Sequence, residues 1–133
     1  MSGIEKRALQ VAVAIGSLVP IGAGAVGAIF GPRMLDPGLI GPADLDSHFR
    51  YLSGLLLAIG IGFASTVPAI EIHSGRFRLL TGIVVVGGIG RLLSLLLIGP
   101  PSPAMTAALV MELVVTPALA LWQGRVASQA RTS

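Results

Sequence analysis

The sequence predicts an all-α integral membrane protein: four membrane-spanning helices bundled into one domain, with both termini cytoplasmic. Three observations carry that prediction. Of 133 residues, 53% are hydrophobic and 11% are charged, where soluble domains carry about 25% charge. The mean hydropathy is +0.88. The apolar residues fall into four runs, residues 8–30, 51–70, 79–98 and 104–122, each close to the ~20 residues that an α-helix needs to cross a hydrocarbon core. None of the runs alternates with the period of two that a barrel strand requires. In lipid, only helices and closed barrels satisfy their own backbone. A chain of this length holds one domain, and its core is too small to hide so much apolar surface from water. Disorder is excluded, because it needs low hydrophobicity and high net charge.

The first run is interrupted only by Gln10, Ser17 and Pro20. Glu5-Lys6-Arg7, the apolar stretch and Ala23-Gly24-Ala25 together have the outline of a secretory leader. The run is longer than a usual leader core, so a retained helix is expected. The second run is separated from the first by about 20 residues containing Pro32, Pro37 and Pro42, and long loops of this kind are often functional. Asp44, Asp46 and Ser47 close that loop with residues suited to a helix start. The third and fourth runs are joined by Gly99-Pro100-Pro101-Ser102-Pro103, a short stiff turn that predicts an antiparallel hairpin.

Lysine and arginine set the orientation. Lys6, Arg7, Arg76, Arg78, Arg125 and Arg131 fall on the side of the termini, and Arg33 and Arg50 on the other. That side is therefore expected to be cytoplasmic, as in a multi-pass protein of the inner, cytoplasmic membrane. The basic residues are dispersed and aromatics make up only 5%, so nucleic acid is not an expected partner despite a pI near 10.7. The absence of cysteine excludes disulfides and thiol chemistry. No metal site is read from the sequence and no cofactor is expected. The alternate spacing of Asp44, Asp46 and His48 suits a metal, but a helix start explains the two aspartates more simply.

Two charges lie deep in the runs. Arg91 is eight residues before Gly99, and Glu112 is eight residues after Ala104. At about 1.5 Å per residue, both sit ~12 Å below the ends of their helices, at the same level of the hairpin. A charge at mid-membrane costs about 2.5–3.5 kcal/mol on the insertion scale. The thirteen Leu, Ile and Val residues of the third run can absorb that cost. Intramembrane charges normally face the interior and pair, so Arg91 and Glu112 are expected to form an ion pair or to share a ligand. Helical side chains lean toward their own N-terminus, and that lean offsets the two partners and leaves carboxylate lone pairs open. Ser94 lies on the same helix as Arg91. Gly22 and Gly24 lie at the same depth in the first run, where missing side chains leave either room for a ligand or a close helix contact. Gly54, Ala58 and Gly62 are spaced for packing. His48, Arg50, Tyr51 and Ser53 stand at the outer mouth, as interfacial anchors or as a lid. Thr116 is one turn from Glu112, and Pro117 loosens the helix there.

Residues 45–54 (LDSHFRYLSG), residues 87–94 (GGIGRLLS) and the stretch from Glu112 through Pro117 to Trp122-Gln123 resemble a family of small bacterial four-span membrane proteins described only as a domain of unknown function, itself similar to DoxX-like membrane proteins. The resemblance covers essentially the whole chain. It implies the fold and the membrane setting but no reaction.

Three functions suit these residues. The first is binding of a lipophilic small molecule in a polar pocket on the outer-leaflet side, centred on Arg91 and Glu112 and lined by Arg50, Tyr51, Ser53, Gly22, Gly24, Ser94 and Thr116. The second is a membrane-embedded isomerase or cyclase, with Glu112 as acid or base, Arg91 tuning it and His48 relaying protons. The third is an accessory subunit that uses the polar pair to assemble with itself or with a membrane partner.

Overall fold

The computed structural model describes residues 2–132. The elements are α1 (Ser2–Phe30), α2 (Ala43–Thr66), α3 (Ser74–Ile98), α4 (Pro103–Val110) and α5 (Thr116–Thr132). A π turn, Met111–Val115, runs α4 into α5 without a break. Short 3₁₀ turns, Gly31–Met34 and Val67–Ala69, follow α1 and α2. No strand occurs among the described residues.

Four helical stretches are long and apolar enough to cross a membrane: Gly3–Met34, Ala43–Ala69, Ser74–Ile98 and Pro103–Thr132. Even the shortest, at 25 residues, is about 37 Å long, against a hydrocarbon thickness of ~30 Å. The most apolar window of each is at most 22% buried. Side chains such as Ile98, Leu96 and Leu121 are more than 70% exposed. Four helices of this length with apolar surface on that scale suit a lipid bilayer, and the chain is a multi-pass membrane protein.

The helices reach beyond the apolar runs. The second starts at Ala43, eight residues before Tyr51. Asp44 and Asp46 occupy its first turn, where carboxylates suit the positive end of the helix dipole. The helix cap at the other hairpin is Ser102, whose Oγ accepts from the Met105 N–H at 3.4 Å with Pro103 next in line. That is the ordinary chemistry of a helix start after a proline turn.

The chain divides into two compact units. One comprises Val11–Val67. In it α1 and α2 run antiparallel, since the close approaches pair Ile21 with Gly60, Gly24 with Leu57, and Gly27 with Ser53. The buried positions Val13, Ser17, Gly24 and Gly27 recur at helical spacing along α1. A Cβ on Gly24 would lie 2.7 Å from the Ser53 carbonyl oxygen and 2.8 Å from Leu57 Cα, so glycine is what lets the two backbones meet. Pro20 sits inside α1 and packs by its ring toward Gly60. The neighbouring Ser17 hydroxyl donates to the Ala14 carbonyl at 2.8 Å. Gly31, at φ +66°, ends α1 in the left-handed conformation that favours glycine.

The other unit comprises residues 2–10 and 68–132. Its buried side chains include Leu9, Ile70, Phe77, Gln123, Val126 and Ala127. Gln123 is fully buried, and its amide donates to the Ile70 carbonyl at 2.8 Å and to Ser74 Oγ at 2.9 Å. It ties α5 to the start of α3. Lys6 pairs with Glu71 and Arg125 with Glu5, both at 3.0 Å, and Gln129 donates to Glu5 at 3.1 Å. Glu71 lies between the second and third spanning helices. Its own backbone N–H and the Lys6 ammonium hold its carboxyl below the ordinary range, against an opposing effect of burial.

Candidate functional site

The deep charges belong to the second of these units and to one hairpin. Arg91 is on α3, seven residues before its last residue, and Glu112 is in the π turn. Gly88 is one turn from Arg91 on the same face of α3. A Cβ there would lie 2.7 Å from Leu113 Cδ2 and 3.0 Å from Glu112 Cβ. The glycine therefore brings the π turn onto α3 beside Arg91.

The π turn has a local cause. Pro117 has no N–H, and its ring would crowd the Leu113 carbonyl in a regular α-helix. The chain widens just before it, and the Met111 carbonyl accepts from the Thr116 N–H, five residues on. The Thr116 hydroxyl adds a second bond to the same oxygen at 2.7 Å. Thr116 thus serves the backbone of the turn that carries Glu112.

Arg91 Nη2 is 3.0 Å from Glu112 Oε1. Arg91 Nε is 3.1 Å from Oε1 and 3.0 Å from Oε2. Both carboxylate oxygens are engaged, so the offset expected from side-chain lean does not keep the partners apart. The length of the arginine side chain and the displaced backbone of the π turn bridge it. On its other edge the guanidinium meets sulfur: Nη1 is 3.1 Å from Met105 Sδ. The side chains are 33% and 17% exposed. Ser94 is exposed on α3, and a Cβ on Gly87 or Gly90 would meet open space.

A second polar cluster lies in the unit of α1 and α2. Arg50 Nε donates to Asp46 at 2.8 and 3.1 Å, and its Nη1 donates to the carbonyls of Ala28 and Ile29 at 3.1 and 2.6 Å. The last carbonyls of a helix have no partner of their own, and Arg50 supplies one to α1. Gly31 leaves room for this clasp, since a Cβ there would lie 2.6 Å from Asp46 Oδ2 and 3.0 Å from Arg50 Nη2. An open groove of about 420 Å³ beside it is lined by Ile29, Phe30, Arg33, Ile40, Asp46 and Arg50, among others.

The remaining residues singled out from the sequence are placed as follows. His48 and Tyr51 are exposed on α2, and Ser53 is buried where Gly27 lacks a side chain. The space beside Gly24 is filled by the α2 backbone, while Gly22 faces open space. Gly54 also faces open space, so the α1–α2 seam runs through Ser53, Leu57 and Gly60 instead. Sequence reasoning missed Met105 as the second contact of Arg91, and nothing in the run residues 104–110 marks it out. It also missed the Asp46–Arg50 clasp, which the spacing of four on one helix does signal.

A family model described as a domain of unknown function (DUF4345) matches residues 8–123. No curated protein and no solved structure matches the chain.

Proposed function

The chain belongs to the DUF4345 family, a domain of unknown function, and on that premise we propose that it is a small membrane protein that holds a lipophilic molecule by its polar head at Arg91 and Glu112. One observation carries the reading. A guanidinium set deep in an apolar hairpin is a third exposed, and its only partners among the described residues are Glu112 and a thioether. Arginine has five N–H donors, and sulfur is a weak acceptor. Donors left over in a dry setting favour any molecule that brings an oxygen. Ser94, three residues on along the same helix, is the polar candidate to help orient it.

Catalysis by Glu112 is the weaker reading. Both of its oxygens accept from Arg91, so the pair would have to part before the carboxylate could move a proton. The proposed orientation places the termini in the cytoplasm and the hairpin turn at Pro101 outside the cytoplasmic membrane. Because the chain has no cysteine, single cysteines at residues 36, 73 and 101 labelled from either face would report it directly.

The binding reading is tested by extracting the purified protein into organic solvent and comparing it with Arg91→Leu by mass spectrometry. A lipophile present with the native chain and depleted in the variant supports the reading. Identical extracts from two folded proteins sink it.

A further inference from the structure

We infer that the head group taken at Arg91 is a neutral hydrogen-bond acceptor, a ketone, aldehyde or ester carbonyl on an apolar chain, rather than a carboxylate or phosphate. The inference rests on the binding reading above and narrows it.

Charge is the first argument. Across residues 79–122 the only charged side chains are Arg91 and Glu112, and they neutralise each other at 3.0 Å. An anionic head would compete with the Glu112 carboxylate for one guanidinium and leave the site net negative in a low-dielectric setting. A neutral carbonyl adds no charge and leaves the ion pair intact. The second argument is direction. Glu112 takes the Nε–Nη2 edge of Arg91, and the edge left over is Nη1, which faces Met105 Sδ at 3.1 Å. Methionine is flexible and its sulfur accepts weakly. A carbonyl oxygen that displaces the sulfur exchanges a poor hydrogen bond for a charge-assisted one. Met105 thus marks the place of the ligand oxygen and competes for it. The carbonyl could come from a free lipophile or from the ester of a bilayer lipid, and the two sources are separable.

The test measures saturable binding of two radiolabelled probes, 2-undecanone and decanoate, to the full chain in dodecyl maltoside at pH 7.5. The native protein is expected to bind 2-undecanone at least tenfold more tightly than decanoate. Met105→Leu should tighten 2-undecanone a few-fold, and Glu112→Gln should reverse the preference. A native protein that prefers decanoate, or binds both equally, overturns this inference and leaves the binding reading standing. Saturable binding of neither probe overturns both. The comparison within the native chain decides the matter even where Glu112→Gln fails to fold. Competition by a diacyl phosphatidylcholine but not by its dialkyl ether analogue supports the same carbonyl chemistry with the bilayer as its source. Displacement by neither supports a free lipophile.

Discussion

Replacing Arg91 by leucine leaves a carboxylate without its partner in an apolar hairpin, and the size of the effect follows from the geometry. Breaking one side of a buried ion pair costs about 3–5 kcal/mol, whereas replacing the whole pair by apolar residues is often neutral or stabilising by ~1–4 kcal/mol. Here the partners are 33% and 17% exposed, which places each single substitution near the lower end, about 3 kcal/mol. Arg91→Leu should cost more than Glu112→Leu, because it strands the more buried charge. The double substitution should return to the native stability or exceed it. The assay is a double-mutant cycle, with unfolding in mixed detergent micelles followed by helical circular dichroism. Independent substitutions would place the double variant near 6 kcal/mol below the native protein, additive within about 0.5 kcal/mol. That additive result would refute the pairing, and with it the account of the site.

The remaining predictions concern the elements around this pair. Gly24→Ala should destabilise by about 1–3 kcal/mol, since the new methyl has only α2 backbone to push against, while Gly22→Ala, two residues away in open space, should be neutral or mildly stabilising; the same micelle unfolding measures both. Pro117→Ala should let the π turn relax to a regular α-helix and swing Glu112 by about 100°, so the Arg91–Glu112 coupling energy should fall in a cycle repeated on that background. Glu71→Gln should lower the melting temperature at neutral pH. The native carboxyl titrates below its ordinary value of 4.5, so its contribution is present above that value and is lost as pH falls through the depressed one. Native and variant melting curves should therefore converge in acid, and a gap that persists there would remove Glu71 from the account.

The fold was legible because lipid leaves few choices. Length, apolarity and backbone satisfaction select helices before any packing is considered, and the hairpin turn at residues 99–103 is plain from its prolines. The extent of the helices was less legible. Apolar runs mark where a helix meets lipid, but α2 starts at Ala43 in a polar stretch that hydropathy alone reads as loop. Depth arithmetic selected Arg91 and Glu112, because charge in an apolar run is a signal that needs no neighbour to interpret. Partners were harder. Met105 is one apolar residue among many, and only the folded hairpin turns its sulfur toward Nη1. Glycine was harder still. Gly22 and Gly24 are alike in sequence, yet one faces open space and the other carries a helix seam. That distinction depends on the rotation of α1, which two residues of spacing cannot fix.

On the proposed reading, the deep pair is more than a clamp. A structural hairpin of this length would gain at least as much from two leucines as from Arg91 and Glu112. Instead, three departures from regular helix packing converge on the pair. Gly88 removes a side chain so that the turn carrying Glu112 can approach α3. Pro117 interrupts the hydrogen-bond ladder and widens the helix before it. Thr116 spends its hydroxyl on the Met111 carbonyl, within the turn that results. Each departure costs stability by itself or repairs the cost of another. A π adjustment re-satisfies the backbone that a proline frees within a membrane, and π turns recur at functional sites. On the proposed reading, a guanidinium that keeps one edge on a displaceable sulfur exchanges that contact for the ligand's oxygen.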